Sequence, residues 1–166
     1  MIASNHVFNS LATILNRPHP RRKASMVLAR IMTHLDLRDL PYFEGVNKNR
    51  RQDGTRHVSI GIWLIPIADN QNPSDVNASL AVPAVTCDMR RHGLGVLVTT
   101  DMAAKQFMVA VPDQDEVWRF FLTDLRHVTS QPGGWHQLGL DVVKMVDLES
   151  LQMMQFRNRL NSFAQL

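Results

Sequence analysis

The chain has 166 residues, of which 45% are hydrophobic and 20% charged, and its formal net charge is +3 at pH 7. These values are typical of ordinary soluble proteins with one real core, and they exclude disorder over the whole chain. The single cysteine, Cys87, excludes an internal disulfide, and its apolar surroundings predict a small buried side chain with no redox role.

No membrane helix and no secretion signal are predicted. The longest apolar run, Ile60 to Ala68, is interrupted by Gly61 and Pro66 and is much shorter than the roughly 20 residues that a membrane helix needs. The start of the chain lacks the basic residues and the apolar stretch of a secretion signal, which predicts a cytoplasmic protein.

The first forty residues have the pattern of a helical hairpin. Apolar residues recur with helical spacing from Asn5 to Leu15 and again from Lys23 to Leu37, with prolines and basic residues between the two segments. From Pro41 to Arg56 the chain becomes polar and contains glycine, which predicts a linker.

Six segments rich in β-branched and aromatic residues follow, and each predicts a strand. They are His57–Ile67, Ser79–Cys87, Leu94–Thr100, Gln106–Val111, Val117–His127 and Trp135–Lys144. A polar loop separates the first two, and Pro132-Gly133-Gly134 predicts a turn before the last. Six strands within roughly ninety residues indicate a small closed barrel or a sandwich.

The end of the chain predicts a helix. Asp147 is placed to cap it, Glu149 lies in its first turn, and its apolar residues lie largely along one side as far as about Ala164. Packing against the strands is the simplest explanation of this apolar side, and a homodimer contact is the alternative. The predicted division is a helical extension over residues 1–45, a β domain over 46–147 and a C-terminal helix over 148–166.

Basic residues are grouped rather than spread over the chain. They cluster in residues 17–23, 48–56 and 90–92, a distribution that suits a small anionic ligand or partner better than a nucleic-acid polymer. Guanidinium groups can bind phosphates with paired hydrogen bonds and stack on flat bases, an acidic residue can accept from a purine edge, and glycines allow backbone N–H groups to approach a ligand. Together these features predict a nucleotide pocket.

Two motifs resemble those of the PilZ domain family. Asp88 to Gly93 is similar to the family's [D/N]-x-S-x-x-G motif, with Arg90 in the serine position. Upstream, Arg51 and Arg56 resemble the arginine motif R-x-x-x-R that precedes the family's first strand, although four residues separate them here instead of three. The resemblance covers roughly residues 47 to 147 and includes a last strand that begins near Trp135.

The resemblance implies a six-stranded PilZ-like β-barrel and a bacterial signalling protein that binds cyclic di-GMP and relays it to a protein partner. The ligand would be a messenger and not a cofactor. The ligand-binding residues carried over by position are Arg50, Arg51, Arg56, Asp88, Arg90 and Gly93. The side chain of Arg90 either adds a phosphate contact or fills the space that serine would leave.

Catalysis and metal binding have no support in the sequence. No nucleophile motif or phosphate-binding loop is present, and the seven histidines do not have the spacing of metal ligands. The chain is therefore predicted not to be an enzyme. Two alternatives to the receptor remain: a degenerate PilZ domain that acts as a nucleotide-independent protein adaptor, and a small split-barrel enzyme that binds flavin phosphate through the same arginines.

Overall fold

The computed structural model describes residues 19–36, 57–114 and 117–164, with the side chains of the first range described to residue 33. The helix predicted at residues 5–15 and the linker with Arg50, Arg51 and Arg56 lie outside the described residues. The described helices and strands are, in chain order, α1 (Pro20–Asp36), β1 (Gly61–Ile67), β2 (Val82–Arg90), β3 (Gly93–Val98), β4 (Gln106–Pro112), β5 (Trp118–Gln131), β6 (Trp135–Val146) and α2 (Ser150–Phe163).

The six strands form a closed antiparallel barrel in the order β1-β2-β3-β6-β5-β4. This closure confirms the mainly β, barrel prediction and excludes the sandwich. The turn between β5 and β6 is also as predicted, with Gly133 and Gly134 at φ of 78° and 77°, a backbone region that favours glycine. The division of the chain into the three predicted segments stays a prediction.

One apolar core fills the barrel and extends onto α1. Alternate strand residues such as Ile62 and Leu64 of β1 and Phe121 of β5 face inward and are fully or almost fully buried. Leu28 and Ile31 of α1 are buried in the same cluster. Helix α1 therefore packs as part of the barrel core.

A second core lies on the outer surface of β1, β4 and β5, beneath α2. Phe156 of α2 is fully buried and makes edge-to-face contacts with Trp63, Trp118 and Phe120, at centroid distances of 6.3, 5.5 and 5.2 Å. Because β1 and β4 are buried on both faces, their sequences read as nearly continuous apolar runs.

The C-terminal helix begins later than the sequence predicted. Its N-cap is Glu149 and not Asp147, because Glu149 and Gln152 form a capping box in which each side chain accepts a hydrogen bond from the other residue's backbone N–H. The Gln152 amide also donates to the carbonyl oxygens of Ser74 and Val76 at 2.6 and 3.0 Å. These bonds fix the polar segment between β1 and β2 against α2.

Helix α1 begins at Pro20, three residues before the predicted start at Lys23, and proline at the first helical position is favourable because its missing N–H has no partner there. None of the helices in the described ranges has the length and hydropathy needed to cross a membrane.

Candidate ligand-binding site

The outer surface of β2, β3, β6 and β5 differs from the rest of the barrel because it is polar and has a glycine floor. Gly95 of β3 pairs with Asp88 of β2 on one side and with Gly139 of β6 on the other, and Gly139 pairs in turn with His127 of β5. An open cavity of about 530 Å³ lies over this row, and all four residues line it.

A β-bulge directs Asp88 into this cavity. Thr86, two residues earlier, is fully buried inside the barrel, so regular alternation would turn Asp88 inward as well. The pairing register between β2 and β3 shifts between these two residues, with Cys87 as the extra residue. A bulge of this kind changes which way a side chain faces, and Asp88 consequently lies on the outer surface.

The two glycines of β3 are required by close contacts. A Cβ atom on Gly95 would lie 2.3 Å from Asp88 Oδ2, so the carboxylate leans over the space that a side chain would occupy. A Cβ atom on Gly93 would lie 2.7 Å from the backbone oxygen of Leu140. Neither position could therefore carry a side chain unless the neighbouring atoms moved.

Arg90 lies on the same surface and contacts the acidic residue of the motif. Its Nε donates to Asp88 Oδ1 at 3.2 Å, and the Asp88 side chain is 13% exposed against 32% for Arg90. Three of the predicted ligand contacts lie among the described residues, and all three line this cavity: Asp88, Arg90 and Gly93.

The opposite rim of the cavity, formed by Arg126 and Asp141, was not predicted from the sequence. Asp141 of β6 accepts hydrogen bonds from Arg126 of β5 at 2.7 Å and from Arg21 of α1 at 2.8 and 2.9 Å. The hydrogen bond and the charge of Asp141 raise the pKa of Arg126 above its ordinary value. The rim therefore holds two cations, one from the barrel and one from the helix.

Helix α1 contacts the rim at a second point. Ser25 Oγ lies 2.8 Å from His92 Nδ1 and donates to the backbone oxygen of Arg21 at 2.9 Å. Because the single hydroxyl proton serves the carbonyl, the arrangement fits the imidazole tautomer in which Nδ1 carries the proton. These contacts hold the first two turns of α1 beside the cavity.

Cys87 is partly exposed, which corrects the prediction that it is buried. As the extra residue of the bulge, it is turned away from the barrel interior. Burial of the thiol, followed by the nearby charge of Asp88, raises its pKa above the ordinary value, and the amide of Gln137 donates to its sulfur at 3.6 Å. The thiol form is consequently favoured.

The predicted contacts Arg50, Arg51 and Arg56 lie outside the described residues and stay predictions. The segment that follows them is described from His57 onward. Within it, Val58 accepts a hydrogen bond from the Thr86 side chain, and Ile60 forms backbone and side-chain hydrogen bonds with Thr86. The chain downstream of Arg56 therefore runs beside β2, two residues from Asp88.

Within residues 19–36, 57–114 and 117–164, no group of three or more histidine, cysteine or acidic side chains is arranged to hold a metal ion. The cavity is lined instead by the carboxylates of Asp88 and Asp141, by arginine cations and by glycines.

No protein-family model matches the chain, and no curated protein matches it. Among solved structures it is similar to the Inhibitor of motility (MotI/DgrA) of Bacillus subtilis, with a TM-score of 0.42 and 8% sequence identity. The match covers 70% of this chain and 52% of that chain, so this chain spans about half of the other's length. The fold assignment rests on the closed strand order and not on this likeness.

Proposed function

We propose that the protein is a non-enzymatic receptor of the PilZ type that binds cyclic di-GMP on the outer surface of β2, β3, β6 and β5. The observation that supports this most directly is the position of Asp88, Arg90 and Gly93, which line one cavity with a glycine floor. These are the residues of the [D/N]-x-S-x-x-G-like motif that the structure describes.

The polar groups of the cavity suit both parts of this ligand. The carboxylate of Asp88 accepts from the N1–H and N2–H donors of guanine, an edge that adenine does not present. The phosphates require cations, and Arg91 and Arg126 line the cavity beside the Arg90–Asp88 pair. Arg50, Arg51 and Arg56 add further guanidinium groups from the segment that leads into β1.

Helix α1 is the element through which binding is relayed to a protein partner. Arg21 of α1 binds the rim residue Asp141, and Ser25 contacts His92 on the β2–β3 turn. A phosphate at the rim competes with Asp141 for Arg21 and so changes how α1 is held. Helix α2 packs on β1, β4 and β5, away from the cavity.

The test is an isothermal titration of the purified chain with cyclic di-GMP at low salt, with GTP and GMP as control ligands. We expect selective, saturable binding. Arg51→Ala and Arg56→Ala are each expected to weaken it by about 1 to 3 kcal/mol, the usual loss for a bidentate guanidinium contact. Arg157→Ala on the exposed side of α2 is the matched control, and its affinity stays that of the wild type.

One observation favours a second function, the nucleotide-independent adaptor. Arg90 already neutralises Asp88 through their 3.2 Å hydrogen bond, as it would in a barrel that had lost its ligand. A folded wild-type protein that gives no saturable heat with cyclic di-GMP would refute the receptor. Pull-down partners that the Arg51→Ala and Asp88→Ala variants of this protein retain would support the adaptor.

A further inference from the structure

His127 occupies a position on β5 that mirrors the position of Asp88 on β2. Both residues follow a register shift, at Cys87 in β2 and at Arg126 in β5, and both consequently lie on the outer surface of the barrel. Each is paired with a glycine of the neighbouring strand. The row Asp88, Gly95, Gly139 and His127 crosses four adjacent strands.

The imidazole of His127 rests on the backbone of Gly139. A Cβ atom on Gly139 would lie 2.0 Å from His127 Cε1 and 2.5 Å from both ring nitrogens. A contact with all three atoms means that the ring covers the place where a side chain would be. The absence of a side chain on Gly139 therefore allows the ring to lie over the floor of the cavity.

Asp88 and His127 lie at opposite ends of this row, with a slot of the cavity between them. Three strand spacings of about 4.8 Å separate the two backbones by roughly 14 Å. The two side chains lean toward each other over Gly95 and Gly139, so the carboxylate and the ring lie closer together than the backbones. One end of the slot offers a carboxylate acceptor, and the other offers a flat, solvent-exposed aromatic ring. Histidine is one of the side chains on which proteins stack nucleobases.

We propose that His127 is the base-stacking residue of the site: a guanine stacks on its imidazole while Asp88 accepts hydrogen bonds from the Watson–Crick edge of the ligand. This inference rests on the proposed binding of cyclic di-GMP and adds to it a contact from β5. The neighbouring ion pair of Arg126 and Asp141 lies beside the slot.

The test compares cyclic di-GMP binding by the wild type, His127→Ala, His127→Phe and His136→Ala. Base–aromatic stacking predicts that His127→Ala weakens binding by about fivefold to a hundredfold, whereas His127→Phe keeps a flat ring and stays within about threefold of the wild type. His136 of β6 lies outside the cavity lining, and its alanine variant is the matched control. The guanine H8 proton signal is expected to shift upfield with the wild type, His127→Phe and His136→Ala, and to stay unshifted with His127→Ala.

The other possible results would contradict either the stacking contact alone or the receptor function as well. Wild-type affinity in His127→Ala, or a loss in His127→Phe equal to that in His127→Ala, overturns stacking on His127 and leaves the receptor function in place. A wild-type protein that does not bind cyclic di-GMP overturns the proposed function and this inference together.

Discussion

The ion pair of Asp88 and Arg90 is the contact that distinguishes this site from the motif that it resembles. The carboxylate that would accept from a base edge is engaged by a guanidinium from the serine position. Ligand binding must therefore either break this pair or use the arginine elsewhere. The pair is partly exposed, so its contribution is of the order of 1 kcal/mol or less.

Replacement of Arg90 by serine releases Asp88. We expect Arg90→Ser to bind cyclic di-GMP about twofold to fivefold more tightly in an isothermal titration, because the cost of breaking the pair is removed. Arg91→Ser loses the same charge without this contact to Asp88, and we expect weaker binding. If Arg90→Ser also binds more weakly than the wild type, Arg90 contacts the ligand itself.

Asp113 joins α1 to the far end of the barrel. Its side chain, only 4% exposed, accepts hydrogen bonds from Arg30 of α1 and from Arg119 of β5, the latter at 2.9 Å. Burial alone would raise the pKa of Asp113, but the hydrogen bonds from Arg119 and the Gln114 backbone and the charges of the two arginines hold it below the ordinary value of 3.8. The ionised carboxylate therefore stabilises the folded state above pH 3.8, and this stabilisation is lost as the pH falls through the lower folded-state pKa.

Asp113→Asn is expected to lower the free energy of unfolding by about 1 to 3 kcal/mol at pH 7, because two arginines lose a charged acceptor. The difference from the wild type should shrink as the pH falls below 3.8, measured by urea denaturation at several pH values. Asp69→Asn, from an exposed pair with Lys105, should change stability by less than about 0.5 kcal/mol. A loss that is independent of pH would contradict this account.

Phe156 is the fully buried aromatic side chain of helix α2. Phe156 is surrounded by the rings of Trp63, Trp118 and Phe120 on the outer wall of the barrel. Because this contact is fully buried, the helix is part of the barrel's second core and not a free extension.

Phe156→Ala should lower the free energy of unfolding by about 3 to 5 kcal/mol, the usual cost of removing a buried ring. Tryptophan fluorescence during denaturation reports it directly, since two of the neighbouring rings are indoles. Met154, whose side chain is 53% exposed on the same helix, is the matched control, and its alanine variant should stay within about 0.5 kcal/mol of the wild type. Equal stability of both variants would show that α2 is not anchored by Phe156.

The strands and helices could be predicted because each has a local pattern, but their ends depend on contacts made elsewhere. β5 continues from the predicted end at His127 to Gln131, because the paired residues of β6 extend the ladder into the turn. Glu149 replaces Asp147 as the cap because Gln152 is placed to complete the reciprocal bonds. Neither partner is evident from a window of sequence around the boundary.

Only one side of the candidate site could be predicted from the sequence, because the other side depends on contacts between residues that are distant in the chain. Asp88 and Gly93 lie in one contiguous motif, and the structure brings them to one cavity. His127, Gly139 and Asp141 reach the cavity through strand register and bulges, which the alternation of polar and apolar residues does not specify. The contact of Gly139 with His127 depends on strand register, and no local sequence pattern predicts it.

The two described helices pack on different parts of the barrel. Helix α1 shares the interior core and is bound by Arg21, near its start, to Asp141 beside the cavity and by Arg30, past its middle, to Asp113. Helix α2 covers the outer wall formed by β1, β4 and β5. The proposed ligand over β2, β3, β6 and β5 would contact the elements that hold α1 and not those that hold α2, which is why we propose α1 as the surface for a partner.

The most direct test of this account is a ¹H–¹⁵N correlation spectrum of the labelled chain, recorded during titration with cyclic di-GMP. We predict that the saturable shifts include the amides of Gly93, Gly95, Gly139 and His127 and those of the first turns of α1, while those of α2 stay unchanged. An absence of shifts at saturating ligand, or shifts confined to α2 and its outer wall, would contradict the assignment of this surface as the receptor site.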